Sequence, residues 1–567
     1  MPTNRSRSGI PFAVVAVFIG FLTFLWIVLE GGARDKPARE FISTADSWLD
    51  KQACGWLGMC GLSHLDRTGW LLGNGTLKHG DLPPRIFSKE ELRKLWMGEE
   101  EQVLTTGERI VKDIPQYVMD YAPYVHLYSG EDFWPGDIAE HLLHTTPFLN
   151  YTMADKDFRE PNLTNLNDLN RYGRSVYLKS NDNVEERPEW LGGRENIPER
   201  SHGEDKGDHF PGITDPRDVP LGAEDPDRKA WESVGQGDIW FKNGKHPTYP
   251  PRGTPFPRGP AANFSRHWDE HSGIHSDELK AELKNMVKTN RRRRRSTQDG
   301  KPSKQGGRSD APVVLVVVDK GDGVVDAFWF FFYSYNLGNT VLNIRFGNHV
   351  GDWEHTMVRF HKGKPKVVFF SQHSGGDAYH YEAVEKFGKR PIAYSATGTH
   401  AMYATPGTHA YILPFGLLHD LTDRGPLWDP TLNLHAYNYD APTDRLTHSS
   451  LTPSSPLNWF YFAGHWGDKI YPLSDKRQYR FAGEYHYVDG PLGPRFKNLG
   501  RRGVCQGDEG GSGCEIKSWL GGNGLKVWRG RRDAEDEPGH PEGYGGDEEG
   551  EAGGVRTHIE QVREMGL

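Results

Sequence analysis

The residues best equipped for chemistry crowd into one stretch, Gly347-Asn-His-Val-Gly-Asp-Trp-Glu-His355, at the start of what reads as a strand. His349, Asp352 and Glu354 stand at i, i+3 and i+5. Residues two apart on a strand face the same way, so Asp352 and Glu354 converge while His349 folds over from a Gly-flanked turn. Two carboxylates and an imidazole suit a hard divalent ion (Mg, Ca or Mn) better than a thiolate-loving one. Alternation places Thr356, Val358 and Phe360 on the same face as the acids, and Trp353, His355, Met357 and Arg359 on the other. The acids therefore meet the rim of a core, where an unpaired charge is costly. Salt bridges to arginines such as Arg345 are the plain alternative to a metal.

Two small-residue turns follow strand-like runs and carry a histidine each: Ser371-Gln-His-Ser-Gly-Gly376 and Ala393-Tyr-Ser-Ala-Thr-Gly-Thr-His-Ala-Met-Tyr403. An isolated turn histidine is usually a surface hydrogen-bonding residue. Because sandwich loops cluster at one end, His373 and His400 are expected as polar neighbours of the acids. Glu140-His141 with His144 has helical spacing and reads as a helix surface. Nucleophile elbow, zincin, phosphate-loop and dinucleotide motifs do not occur in the sequence.

The elements that must position these residues are mostly β. Val313–Asp319, Asp326–Asn336, Asp352–Phe360, Lys366–His373, Pro391–Ala396 and His409–Phe415 are short β-branched or aromatic runs punctuated by Gly, Pro, Asn or Asp. Connections this short exclude βαβ crossovers, so the expected fold is mainly β: an antiparallel β-sandwich with a few peripheral helices. Residues 31–110 read as a stalk with a short helix near Ser43–Gln52 and a capping box at Ser88-Lys-Glu-Glu91. The domain is expected to run over 111–180 and 311–525. A disordered charged insertion at 181–310, carrying the arginine run Arg291–Arg295, interrupts it, and a Gly- and acid-rich tail at 526–567 follows. With 67 Gly, 38 Pro and 36% hydrophobic residues, much of the chain is turn and loop. A net charge of −9 without strong patterning does not suggest a nucleic-acid partner.

Pro11–Leu29 is free of charge and long enough to cross a bilayer, with Arg5 and Arg7 before it. A cleaved signal peptide is the rival reading, but its apolar region would be unusually long. Residues 1–30 are therefore expected as a cytosolic tip and transmembrane signal-anchor. Sequons at Asn74, Asn150, Asn162 and Asn263 tilt the body towards the lumen. Cys54 with Cys60, and Cys505 with Cys514, are spaced as local disulfides, although four cysteines allow three connectivities. The expected protein is a single-span membrane glycoprotein of the secretory pathway.

Tyr121-Ala-Pro123, Val325-Asp-Ala-Phe-Trp329, the Gly347–His355 stretch, Phe370-Ser-Gln-His-Ser-Gly-Gly376, Ala393-Tyr-Ser395, Gly464-His-Trp-Gly467 and Gly490-Pro-Leu-Gly-Pro494 occur in this order. Together they resemble the vacuolar protein sorting-associated protein 62 family, over roughly Tyr117 to Arg501. That resemblance implies a role in delivering proteins to the vacuole and no particular biochemical activity. The Gly347–His355 region is also similar to microbial necrosis-inducing cytolysins, in which a G-H-R-H-D-W-E motif supplies a His, an Asp and a Glu to a divalent ion. This second likeness implies metal ligation by His349, Asp352 and Glu354 beside a sphingolipid-sugar docking site, with Thr399-His400 resembling a later turn. Where those proteins supply a further Asp, this chain offers Asn336, a weaker neutral oxygen.

The leading expectation is a non-enzymatic, cation-assisted binder of a glycolipid headgroup or glycan, with His373 and His400 as hydrogen-bonding neighbours. The alternative is a metal-dependent hydrolase of phosphodiester or glycoside substrates using the same residues. A third reading makes the acids braces of the fold.

Overall fold

The computed structural model describes residues 35–67, Glu91, Lys94, Trp96, 111–154, 160–198, 227–232, 234 and 306–520, the last apart from gaps at 342–343, 374, 413–417, 482 and 507–514. All of them lie in one unit, Met1–Gly524. Asn74, Asn263, Cys514, Arg291–Arg295 and Pro11–Leu29 fall outside the described residues. Among those described, no helix is long and apolar enough to cross a membrane.

The chain builds a nine-stranded sheet around its two longest strands. β1 (Val313–Gly321), β2 (Val324–Asn336), β3 (His349–His361), β4 (Lys364–Gln372) and β5 (Gly375–His380) run antiparallel in sequence order. Outside β1 stand Leu434–Asp440, Arg445–Ser449 and Val111–Lys112; outside β5 stands Ile516–Lys517. All six predicted strands exist, extended or trimmed by a few residues at their ends.

The antiparallel expectation fails at the periphery. Leu434–Asp440 joins β1 in parallel, as do Val111–Lys112 on Arg445–Ser449 and Ile516–Lys517 on β5. Segments distant in sequence meet there, and parallel pairing needs only a long connection, not a βαβ unit.

Every residue of β2 is buried, and only His349 of β3 is not. A strand reading Val-Val-Asp-Ala-Phe-Trp-Phe-Phe-Phe-Tyr-Ser-Tyr-Asn is apolar on both faces, so both need cover. On one face Trp329, Phe331, Tyr333, Val358 and Phe360 share a core with Val125, Ala393, Met402 and Trp428. Those belong to a smaller sheet built from Tyr124–His126, Lys386–Phe387, β6 (Arg390–Ser395), Met402–Tyr403 and Leu427–Trp428. On the other face Phe328, Phe330, Trp353, Met357 and Phe369 pack under Ile138, Leu142, Leu166, Trp459 and Trp466, which come from short helices and coil. A five-stranded sheet therefore covers one side of the central one, and short helices, coil and a three-stranded sheet whose Val176 and Leu178 join the same core cover the other.

Four expectations need amendment. The predicted single helix near Ser43–Gln52 is two: α1 (Lys36–Thr44) and α2 (Trp48–Leu57), each N-capped by its preceding Asp35 or Ser47. This part of the predicted stalk is tied to the body, because Cys60 exchanges both backbone hydrogen bonds with Arg480, 2.9 Å each. Cys54 and Cys60 are disulfide-bonded, and Cys505 is disulfide-bonded too. Parts of the predicted insertion also pack into the body: Trp231 is fully buried, and its carbonyl accepts from Arg359 Nη1 at 3.1 Å. Finally, Glu140 and His141 do lie on a helix, Ile138–Leu143, but His141 is buried and its Nε2 faces Trp466 O at 3.1 Å. Asn150 and Asn162 are exposed.

Candidate functional site

The β2–β3 register sets the site. His349 lies opposite Asn336, Asp352 opposite Tyr333, and Glu354 opposite Phe331, so both acids share the face of Tyr333, under the smaller sheet. Gly351 makes the bend possible. Its φ is +70°, and a Cβ there would sit 2.1 Å from Trp466 O. The turn-rich segment around Trp466 thus presses against the backbone between His349 and Asp352. Gly351→Ala is expected to cost about 2 kcal/mol or more, combining an αL penalty with a backbone clash; the loss should show in thermal denaturation of the purified chain.

Asp352 and Glu354 are 6% and 4% exposed. The arginine reading fails for the residue it named: Arg345 donates from Nη1 to Gly338 O at 2.6 Å. Asp352 is met instead by His400, whose Nδ1 lies 3.0 Å from Oδ2. The other nitrogen of His400, Nε2, lies 3.0 Å from Phe133 O and 3.9 Å from Glu131 Oε1. Every one of these partners is an acceptor, so the ring donates from both nitrogens and is an imidazolium. Burial by itself would lower its pKa; the hydrogen bond to Asp352 and the charge of Glu131 outweigh that and raise it. The ring also stacks on Tyr333, centroids 3.7 Å apart and nearly parallel.

Glu354 accepts from Ser371 Oγ, which in turn accepts from the His355 backbone N–H at 2.7 Å. Burial pushes the Glu354 carboxyl up to about 7, with Lys497 opposing and the Asp352 charge adding to the rise. Among the described residues, neither Asp352 Oδ1 nor Glu354 Oε1 has a hydrogen-bond partner.

His349 is half-buried, and its Nδ1 lies 2.7 Å from Gly351 O. That carbonyl can only accept, so Nδ1 carries the proton and Nε2 keeps its lone pair. Burial lowers its pKa, keeping the neutral ring favoured. The side chain of Asn336 donates to Gly347 O at 2.8 Å, which leaves its carbonyl oxygen as the only possible ligand atom.

His373 belongs to an adjoining network. Its Nε2 lies 2.8 Å from Asp420 Oδ2 on β7 (Leu418–Thr422). Asp420 also accepts from Tyr403 Oη at 2.7 Å, Thr399 Oγ1 at 2.8 Å and Asn339 Nδ2 at 3.1 Å. Burial would lower the His373 pKa, but Asp420 and then Glu354 raise it. His373 and His400 both hold positive φ, 51° and 54°, a costly conformation for a residue with a Cβ. Thr399 on one side of His400 and Asp420 on the other side of the turn thus join the two histidine turns into one arrangement.

The structure therefore gathers Asp352, Glu354, His373 and His400 into neighbouring networks at one end of β3 and β4. Sequence reasoning missed Glu131, Tyr333, Ser371 and Asp420. Ser371 was within reach, since it opens the Ser-Gln-His turn; Glu131 and Asp420 lie 221 and 68 positions before and after Asp352, and no local spacing points to them. No group of three or more His, Cys, Asp or Glu is arranged to hold a metal ion among the described residues.

The family profile described as vacuolar protein sorting-associated protein 62 matches residues 313–476, which span β1 to β7 and the strands after it. The chain is 32% identical over 491 residues to a Saccharomyces cerevisiae protein named "Putative vacuolar protein sorting-associated protein TDA6", covering 78% of this chain and 76% of that one. It is 46% identical over 213 residues to the Saccharomyces cerevisiae "Vacuolar protein sorting-associated protein 62", covering 35% of this chain and 46% of the relative. No solved structure matches. The 32% identity, extending over more than two thirds of both proteins, places this chain in the vacuolar protein sorting-associated protein 62 family.

Proposed function

We propose that the protein acts in delivery of proteins to the vacuole as a membrane-anchored, luminal and non-catalytic binding protein. Its ligand would be a glycan or glycolipid headgroup, received at the lip of β3 with the help of a divalent cation. The vacuolar part is supported by the names of its relatives, and the anchor by the uncharged Pro11–Leu29 stretch.

One observation carries the binding part. Two buried carboxylates, two residues apart on one strand face, each keep one oxygen without a protein partner among the described residues. His400 meets one oxygen of Asp352 and Ser371 one of Glu354, no arginine among the described residues is bonded to either acid, and the second oxygen of each is left for a further positive or donating group. Asp352, Glu354 and the Nε2 of His349 are chemically suited to Mg, Ca or Mn, which take six to eight oxygen-rich ligands. The donor set is partial, so it fits an ion shared with ligand hydroxyls better than one caged by the protein. His400 holds Asp352 in place, and His373, partly exposed and paired with Asp420, is a hydrogen-bonding neighbour of the site.

Calorimetric titration of the detergent-solubilised full chain with Ca, Mg or Mn, with and without a glycolipid headgroup, tests this. Saturable cation binding that the headgroup strengthens is the expected result, and Asp352→Asn or Glu354→Gln should each weaken it about tenfold or more. Equal behaviour of wild type and both variants leaves the acids as braces of the fold. Turnover of phosphodiester or glycoside substrates by the wild type alone would convert the reading to a hydrolase.

A further inference from the structure

The short helix α2 turns an unusual set of side chains outward. Trp48, Leu49 and Trp56 are 72%, 63% and 74% exposed, and Leu57 at its end is 43% exposed. At about 100° per residue, Trp48, Trp56 and Leu49 fall within a sector of about 100°. The opposite side, Asp50, Ala53 and Cys54, is buried; Cys54 packs with Ala38, Phe41, Cys60 and Leu473. The helix is firmly held. Ser47 caps its first turn, Gly58 ends it at φ 64°, the Cys54–Cys60 disulfide closes it, and Cys60 is bridged to Arg480 of the body. An exposed stripe with two tryptophans on so well-fixed a helix is not slack surface.

What covers it follows from the chain just upstream. The uncharged stretch Pro11–Leu29 ends close before α1. Residues 30–35 reach about 20 Å at full extension and residues 45–47 about 10 Å more, and the nine residues of α1 add about 13 Å. If Pro11–Leu29 spans a bilayer, α2 lies within that short tether of its surface. Tryptophan is the residue that favours the headgroup level, with an apolar ring inward and an N–H to the water side.

We infer that the Trp48, Leu49 and Trp56 stripe of α2 beds into the headgroup–acyl boundary of the bilayer that anchors the chain. This rests on the membrane-anchored reading above and adds a second contact. Because α2 is bridged to the body at Arg480, the contact fixes how the body is oriented over the membrane.

The test uses the full chain, reconstituted into mixed phosphatidylcholine and phosphatidylserine vesicles, with the photoreactive amino acid p-benzoylphenylalanine in place of Trp56. A matching chain carries it in place of Leu432, which is 50% exposed on the body. Irradiation followed by mass analysis should give lipid adducts at position 56 and none at 432. Adducts at 56 only to a second copy, or to residues 11–29 of the same chain, overturn the inference, as does equal lipid labelling at both positions. Resistance of Cys54 and Cys60 to alkylation verifies that the labelled chain is folded. Extraction at alkaline pH separates the two readings. A chain that stays with the membrane yet gives no lipid adduct refutes this contact alone; a chain that is released refutes the anchor and the contact together. In the Trp48→Gln, Trp56→Gln double variant, the photoreactive group placed at Leu49 should lose most of its lipid labelling while the chain stays in the membrane pellet.

Discussion

Asp326→Asn is expected to be among the most destabilising single changes in the body, at about 3–5 kcal/mol. Asp326 and Arg359 are both fully buried, joined by two hydrogen bonds of 2.7 Å. Lys320 Nζ lies 3.6 Å away on the same carboxylate, and buried Arg501 stands close enough to feel its charge. One carboxylate therefore compensates three cations. Arg359 also donates to the carbonyls of Trp231, Glu232, Arg502 and Gly503, so the same network seats two distant segments on β3. Replacing the carboxylate with an amide leaves the cations buried without a counter-charge, which is far worse than removing an exposed pair.

Denaturant unfolding of wild type and variant checks the number, and a loss below about 1 kcal/mol would mean that other groups compensate. The pH dependence has a definite sign. Burial opposes ionisation of Asp326, but Arg359 more than reverses this and the folded pKa is depressed. Its contribution is therefore present above the ordinary carboxylate range and disappears only as pH falls through the depressed value.

Asp420→Asn comes second, at about 3 kcal/mol. Asp420 is 1% exposed and takes donors from His373, Tyr403, Thr399 and Asn339. An amide can accept with only one oxygen, so one side of this network is left donor against donor. The His373 imidazole should then titrate at lower pH than in the wild type, followed by proton NMR of its ring. Since its folded pKa is raised, the part of the stability difference due to His373 is fully present below its unfolded pKa. That part fades as pH rises through the folded value. An unchanged His373 titration would separate the two residues and dismantle the joined arrangement of turns.

The β content of this chain was legible because it rests on local pattern. Aromatic and β-branched runs bounded by Gly, Asn and Asp marked all six strands, and the two-residue alternation put Asp352 and Glu354 on one face, as the register confirms. What local pattern cannot carry is partnership across the chain. Arg345, just upstream of the acids in sequence, was the counter-charge that local reading offered, yet His400 from a distant turn bonds to Asp352. The parallel edge pairings and the burial of Trp231 depend likewise on segments that meet only in space. Two helices were read as one because Ala45 and Asp46 break no apolar period, and only the Ser47 cap marks the restart.

The burial of β2 along its whole length has a consequence for biogenesis. During synthesis this thirteen-residue ribbon emerges before β3, its partner on one side, and before the strand at 434–440 that extends the sheet beyond β1. A nascent chain from which Asn336 but not yet His349 has emerged presents a long, nearly uncharged aromatic strand with an open edge, the composition most prone to self-association. Chaperone occupancy on arrested chains should therefore peak there and fall once residue 361 has emerged.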